Sequence, residues 1–280
     1  MATDDAPTNR VRHYLGAWSA VSVVQFFVAE AATIAAWRGP APYSRRLNFI
    51  SDLGQLSCGI HGTREVCSPL HALMNTSFVL QGLGMVIAAL LITSAVLRVA
   101  AHEPAVRADA RLTRAILAQS RTTARGSSRT RIAAALASGH AAVAVPWAAT
   151  LAVRVLLAVA GAGVAVVGFI PQDTDEAVHL AGAGAYFLCG SSALVVLGIL
   201  WIRRTAAAWP ILLCGGASFV ATLVGGALAL RVPEPGTLER FMGYPITVGI
   251  AVAGGVIAYR LGVPARAARA ARRAAGRAAG

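Results

Sequence analysis

The sequence predicts an all-α membrane protein, a bundle of six transmembrane helices with both termini in the cytoplasm. Only 13% of its 280 residues are charged and 56% are hydrophobic, whereas soluble domains carry about 25% charged residues. The mean hydropathy of the chain is +0.63. The apolar residues form long unbroken runs, which exclude both a disordered chain and the alternating pattern of a membrane β-barrel.

Six runs reach the length of about 20 apolar residues that a membrane-spanning helix needs. Their predicted bounds are Leu15–Trp37, His71–Val99, Thr150–Ile170, His179–Ile202, Trp209–Leu230 and Phe241–Leu261. The first run follows two acidic residues and exceeds the apolar core of a signal peptide, so we expect a retained helix. The transmembrane domain is thus predicted over residues 15–261, between a cytoplasmic N-terminus (1–14) and an Arg/Ala-rich cytoplasmic tail (262–280).

The basic residues orient the predicted bundle. All 25 are Arg, which fits a GC-rich genome such as that of an actinobacterium. With the N-terminus inside, 19 of them lie in cytoplasmic segments, many in a long basic loop over residues 100–149, and six lie in outer loops. The positive-inside rule therefore places both termini in the cytoplasm of a multi-pass cell-membrane protein. Because no basic stretch is interleaved with aromatic residues, we expect no nucleic-acid partner.

Ionisable residues stand near the outer ends of the three helices that enter from outside. They are His71, His179 and the pair Glu239-Arg240. Helix N-termini favour anions, because their first N–H groups have no partner within the helix. Each residue also has a structural alternative: the histidines can form hydrogen bonds at a helix start, and Glu239-Arg240 can form an interfacial ion pair.

The outer loop over residues 38–70 adds further polar groups. Asn48, Ser51 and Asp52 lie among apolar residues there, so we expect this stretch to fold back onto the bundle. Asp52 can instead cap a turn, or pair with Arg45, Arg46 or Arg240.

Two polar residues lie within the predicted helices. Glu30 is inside the first helix, where an ionisable group is either functional or the buried partner of an Arg or His. Asn75 follows His71 by four residues and shares its helix face. We expect at least three of Asp52, His71, His179, Glu239 and Arg240 to form one outer cluster.

The cysteines and small residues predict two packing features. Cys58 and Cys67 lie in the outer loop, where the compartment permits a disulfide; zinc binding with His61 and His71 is the alternative, although no CxxC spacing occurs. A stripe of small residues along the fifth helix predicts close helix packing, either within the chain or in a homo-oligomer. Its members are Ala217, Ala221, Gly225 and Ala229.

Four stretches resemble the signature blocks of the bacterial membrane proteins known as domain of unknown function 998. They are residues 43–54 (YSRRLNFISDLG), 67–78 (CSPLHALMNTSF), 168–183 (GFIPQDTDEAVHLAGA) and 236–245 (GTLERFMGYP). The resemblance covers about residues 15–261, although the loop over residues 100–149 is longer than the family pattern requires. That family is similar to the Frag, DRAM and Sfk group, whose members are linked to lipid remodelling, lipid organisation and autophagy. The resemblance implies a six-helix fold and a lipid connection, but no reaction.

Three functions compete at this point. The first is a non-enzymatic, lipid-interacting protein without a cofactor, whose outer pocket binds a head group through Asn48, Asp52, His71, Asn75, His179, Glu239 and Arg240. The second is an intramembrane lipid hydrolase similar to alkaline ceramidases, with catalytic candidates Ser51, Asp52, His71 and His179. If that hydrolase used zinc, its ligands would come from Asp52, His71, His179 and Glu239, but no HxxxH pair is present. The third is a small-molecule transporter, against which stand the lack of an inverted repeat and the few midplane charges.

Overall fold

The computed structural model describes residues 6–101 and 145–262. Within these residues the chain is mostly helical. The seven α-helices described are α1 (Ala6–Ala35), α2 (His71–Leu91), α3 (Ser94–Ala101), α4 (Trp147–Phe169), α5 (Glu176–Trp201), α6 (Ala208–Ala227) and α7 (Pro235–Leu261). The predicted basic loop (100–149) and the tail (262–280) fall almost entirely outside the described residues.

Six of these helices are long and apolar enough to cross a membrane, which confirms the predicted number. In α1 the apolar span is Arg10–Ala35, and the other five are α2, α4, α5, α6 and α7, with 20 to 27 residues each. At 1.5 Å per residue these lengths match or exceed a hydrocarbon core of about 30 Å. The chain therefore has the architecture of a multi-pass membrane protein.

The helices form a closed ring in chain order. α1 packs against α2, α2 against α4, α4 against α5, α5 against α6, and α6 against α7, which returns to α1. Each of these contacts joins membrane-spanning helices that are consecutive among the six, except the contact between α1 and α7 that closes the ring. At one end of this ring the loop between α1 and α2 contacts the α4–α5 loop, through Ser57 and Asp173, and the α6–α7 loop, through Arg46 and Glu234. We call that end the cap end.

The second helix is shorter than predicted. The sequence predicted a helix over His71–Val99, but α2 ends at Leu91 and a separate short helix begins at Ser94. Thr93 causes this break, since its side-chain oxygen accepts a hydrogen bond from the backbone N–H of Val96 at 3.3 Å. A threonine that caps the next helix in this way does not continue the previous one.

Glycines allow the central helices to approach closely. A Cβ added to Gly161 would lie 2.7 Å from the carbonyl oxygen of Gly82 across the α2–α4 contact. A Cβ added to Gly182 would lie 2.8 Å from the carbonyl oxygen of Gly163 across the α4–α5 contact. Close backbone approach at small residues is how membrane helices gain packing energy without a hydrophobic driving force.

The small-residue stripe of α6 serves mainly this internal packing. Ala221 and Gly225 are buried in the bundle, whereas Ala217 is exposed. Ala229 lies beyond the end of the helix with φ of 47°. The predicted four-residue spacing therefore does not form one continuous face for a second protomer.

A β-hairpin, which the sequence analysis did not predict, occupies the cap end. Strands β1 (Gly59–His61) and β2 (Arg64–Val66) pair antiparallel, with Gly59 opposite Val66. Gly62 supplies the positive φ of 64° that the two-residue turn needs. The predicted disulfide between Cys58 and Cys67 is confirmed and joins the two strands at their open end.

Candidate functional site

Most of the polar residues singled out in the sequence lie around one segment, residues 43–54 of the cap loop (36–70). A hydrogen bond from the Tyr43 hydroxyl to the carbonyl of Phe49 spans 2.7 Å. The backbone N–H of Ser44 donates to the side-chain oxygen of Asn48 at 3.0 Å. A 3₁₀ turn over Ser51–Gly54 then leads into the hairpin. These local bonds fold the segment onto the helix ends, as its mixed composition predicted.

Asp52 is fully buried in this segment and pairs with Arg64. The guanidinium binds both carboxylate oxygens, at 2.9 Å from Nε to Oδ2 and 2.9 Å from Nη2 to Oδ1. It also lies 4.2 Å from the ring centroid of Phe49. The backbone N–H of Phe49 donates to Oδ2 of Asp52 at 2.9 Å, and Gln55 donates to Oδ1 at 3.2 Å. None of the three arginines proposed as partners of Asp52 fills this role, because the hairpin brings Arg64 to it instead.

Arg240 forms the centre of a second buried network. Its Nη2 donates to Glu30 at 3.0 Å and to the Tyr43 hydroxyl at 2.6 Å. Its Nε donates to the Tyr244 hydroxyl at 3.0 Å, and that hydroxyl donates to Glu30 at 2.6 Å. The Nη1 group donates to the carbonyls of Arg45, Asn48 and Gly236. Glu30 is thus the buried partner of an arginine, as one interpretation of the sequence held.

This network engages every donor group of Arg240. All three of its nitrogens donate to acceptors of the chain itself, and its side chain is 7% exposed. An anion could reach this guanidinium only by displacing those acceptors. Burial raises the pKa of Tyr43 above its ordinary value, although Arg240 opposes this shift. The phenol therefore stays neutral and acts as a hydrogen-bonding partner.

Glu239 does not pair with its neighbour Arg240, contrary to one predicted alternative. Its carboxylate accepts a short hydrogen bond from the backbone N–H of Ile50. The three ion pairs found among the described residues leave Glu239 without a cationic partner. Its side chain is half-buried, with the remaining surface facing a cavity in the bundle.

The two histidines form hydrogen bonds at helix starts. Nδ1 of His71 donates to the carbonyl of Ser68 at 3.0 Å, and Nδ1 of His179 donates to the carbonyl of Ile170 at 2.9 Å. Since a carbonyl only accepts, Nδ1 carries the proton in both rings, and Nε2 of a neutral ring is left as an acceptor. Asn75 donates to the carbonyl of Gly54 at 2.8 Å and so attaches the 3₁₀ turn to α2.

The starts of α5 and α7 are capped by the chain itself. The Asp175 side chain accepts from the backbone N–H of Val178 at 3.1 Å. In α7 the backbone N–H groups of Gly236 and Thr237 both donate to the carbonyl of Arg46. These N–H groups are therefore not free to bind an anion, which removes that part of the predicted head-group site.

A small, partly open cavity with a mainly apolar lining lies beneath the 3₁₀ turn, and we call it the cap cavity. Its volume is about 40 Å³. Polar side chains from four elements line it, together with aromatic rings from α1, α2 and α5. The polar residues are Ser51, Gln81, His179 and Glu239, and the aromatic residues are Phe26, Phe78, Tyr186 and Phe187.

A second, more open cavity lies on the outside of α7, and we call it the α7 groove. Its volume is about 300 Å³. Arg45 and Arg46 are exposed beside it, and Phe241 and Pro245 form an apolar surface below them. Phe241 is 59% exposed. Arg46 pairs with Glu234 at the surface, whereas the guanidinium of Arg45 has no carboxylate partner among the described residues.

The arrangement offers little support for hydrolysis. Ser51 and His179 line the same cavity, but no hydrogen bond joins them, and a nucleophile needs a base within hydrogen-bonding reach. Within residues 6–101 and 145–262, no three His, Cys, Asp or Glu side chains come together as metal ligands. The zinc alternative therefore has no suitable donor set in the part of the chain that is described.

Several residues of this site were missed in the sequence. Tyr43, Tyr244 and Arg64 are not among the site residues that the sequence predicted. Gln81 lay within an apolar helix and carried the clearest available signal, because a buried amide needs partners.

Comparisons with protein-family models, with curated proteins and with solved structures returned no significant match.

Proposed function

We propose that this protein binds anionic lipids of the outer leaflet through the α7 groove, without catalysing a reaction. The observation that carries the proposal is the combination of Arg45 and Arg46 above an apolar surface of Phe241 and Pro245. A guanidinium can bind a phosphate oxygen pair, and an exposed aromatic ring can contact the glycerol and acyl region. At about 300 Å³, the groove reaches the lower end of the usual range of ligand sites.

In this proposal the exposed Arg45 and Arg46 bind the anionic head group, and Arg240, the arginine predicted for this role from the sequence, does not. Arg240 is engaged by its own chain, so it forms a wall of the groove and positions the cap loop. Its bonds to the carbonyls of Arg45 and Asn48 fix the backbone that carries the two exposed arginines. In the proposal, His71, Asn75 and Asp52 hold the cap loop in place and do not contact the ligand.

The orientation of the protein is part of the same proposal. A disulfide in the cap loop fits an oxidising compartment. The Arg distribution favours cytoplasmic termini in the cell membrane. With the cap end outside, the start of α7 and its groove lie at the level of the lipid head groups. Membership of the family of domain of unknown function 998, suggested by the four sequence blocks, agrees with a lipid connection.

The test compares lipid binding by the wild type and by Arg45→Gln/Arg46→Gln. Protein in nanodiscs of phosphatidylcholine receives increasing fractions of phosphatidylglycerol, and bound lipid is measured by native mass spectrometry. A direct hydrogen bond from each guanidinium to the phosphate contributes about 1 kcal/mol net. The double variant should therefore bind phosphatidylglycerol about 30-fold more weakly.

The matched control is Arg38→Gln/Arg231→Gln. These arginines are exposed in the cap loop and in the α6–α7 loop, outside the groove lining. The control removes the same net charge and should retain wild-type binding. Equal binding of phosphatidylglycerol and phosphatidylcholine by the wild type, or equal losses in both variants, would contradict the proposal.

A further inference from the structure

The charges of the Asp52 and Arg240 networks and their neighbour Glu239 do not balance. Glu30 and Asp52 are buried and pair with Arg240 and Arg64, whereas the half-buried Glu239 has no guanidinium partner among the described residues. Glu239 is the one that remains, and it is also the one that lines the cap cavity. An ionised group away from water is costly unless it is paired. A positive charge is therefore missing on the cavity side of Glu239.

The walls of the cap cavity suit a small cation. The rings of Phe26, Phe78 and Phe187 line it with Tyr186, and aromatic faces attract cations. Nε2 of His179 is available as an acceptor, since Nδ1 donates to Ile170. An ammonium group can donate N–H bonds to both Glu239 and His179.

Gln81 places a second, independent requirement on whatever occupies the cap cavity. It is 1% exposed, it lines the cavity, and its Nε2 has no hydrogen-bond partner. Its orientation is set by Gln25, whose Nε2 lies within 3.5 Å of the Gln81 oxygen and of the carbonyls of Ser22 and Ser77. Reversing the Gln81 amide would bring two amide nitrogens together. The occupant must therefore also present an acceptor to the Gln81 N–H group, because a buried donor without a partner is unfavourable.

We propose that the cap cavity binds a primary ammonium group with a neighbouring oxygen, in which the ammonium pairs with Glu239 and the oxygen accepts from Gln81. The cavity of about 40 Å³ holds about three water molecules, so three or four non-hydrogen atoms fit. A 2-aminoethyl oxygen group has this size. It occurs in free ethanolamine and in the head group of phosphatidylethanolamine. The corresponding choline unit has seven non-hydrogen atoms, which exceeds the available space, and its nitrogen has no N–H donors.

The experiment measures the melting temperature of the full chain in nanodiscs of phosphatidylcholine and phosphatidylglycerol. Ethanolammonium chloride is added, with choline chloride at equal concentration as the matched cation. A second set of nanodiscs contains phosphatidylethanolamine. Stabilisation by free ethanolammonium assigns the site to the free amine, and stabilisation only by phosphatidylethanolamine assigns it to the lipid. If neither raises the melting temperature above that with choline or phosphatidylcholine, a proton neutralises Glu239 and the proposal fails.

The key variant is Glu239→Gln, which keeps an oxygen for the N–H of Ile50 and removes the charge. It should weaken binding of the stabilising amine at least tenfold, whereas Glu65→Gln on the exposed hairpin should not. If Glu239→Gln does not fold, Phe187→Leu tests the aromatic wall and should weaken binding about two- to fivefold. Wild-type affinity in the folded test variant would overturn the assignment. Because the α7 groove is not changed, this outcome is distinct from a failure of anionic-lipid binding.

Discussion

The cap end and the central helix crossings are held together by different forces. At the cap end, Arg240 and Arg64 each bind a buried carboxylate, and a disulfide closes the hairpin. At the crossings of α2, α4 and α5, glycines bring backbones together and no ion pair is present among the described residues. The comparison shows where the chain places its few charges. Ion pairs and hydrogen bonds fix the conformation of the loops at the cap end, and the closely packed helices support these loops.

The largest expected effect comes from removing Arg240. Arg240→Met should cost about 3–5 kcal/mol of unfolding free energy, because it leaves the buried Glu30 carboxylate unpaired. Reversible unfolding in detergent and denaturant measures the loss. Adding Glu30→Gln should recover part of it. Arg231→Met, in the exposed α6–α7 loop, is the control and should change stability by less than about 0.5 kcal/mol; equal losses in the two single variants would contradict the comparison.

Removing the disulfide should have the next largest effect. Cys58→Ser/Cys67→Ser should lower stability by about 2–3 kcal/mol, since the bridge closes a loop with a sequence separation of 9. Hydrogen exchange should accelerate at the hairpin and leave the helix crossings protected. A reductant should weaken the wild type and leave the double variant unchanged. Faster exchange spread evenly over all helices would show that the two regions are not separate.

The crossings themselves are tested by two glycines of α5. Gly182→Ala should cost about 1–3 kcal/mol, because the new methyl group meets the carbonyl of Gly163. Gly184 has no neighbouring atom within 4 Å, so Gly184→Ala should change stability by no more than about 0.5 kcal/mol. Thermal unfolding of both variants gives the comparison. Similar melting temperatures for the two would argue against backbone contact at this crossing.

The smallest effect concerns pH at the cap surface. Burial favours the neutral form of Asp173, but hydrogen bonds from the backbone and side chain of Ser57, both 2.8 Å long, outweigh it, and the pKa of Asp173 is lowered. A lowered pKa gives stability that is present above the unfolded-state pKa of about 4 and is lost as the pH falls through the folded-state value. The melting-temperature difference between wild type and Asp173→Asn should therefore shrink between pH 6 and pH 2. Ser57→Ala should show the same trend, and a constant difference would refute it.

The sequence was sufficient to predict the helix bundle but not the contacts within the candidate site. Hydropathy located six spans, because a membrane requires long apolar helices whatever their partners. The predicted end of α2 was wrong, because Thr93 caps the next helix. That cap depends on a local hydrogen bond, which hydropathy does not reveal. Asp52 was singled out correctly as a residue on a segment that folds back. Its partner Arg64 was not found, because only the hairpin turn at Gly62 brings Arg64 over Phe49.

The closed ring has a consequence for the order in which the protein is made. Synthesis proceeds from α1 to α7, and neighbouring hairpins can associate as they emerge. Glu30 belongs to the first helix, whereas Arg240 belongs to the last. Until α7 has been inserted, the guanidinium that pairs with Glu30 in the folded structure is not in place. Insertion of α7 thus both closes the bundle and pairs the buried carboxylate of α1. A chain that stops before α7 lacks this ion pair, which distinguishes it from the finished protein.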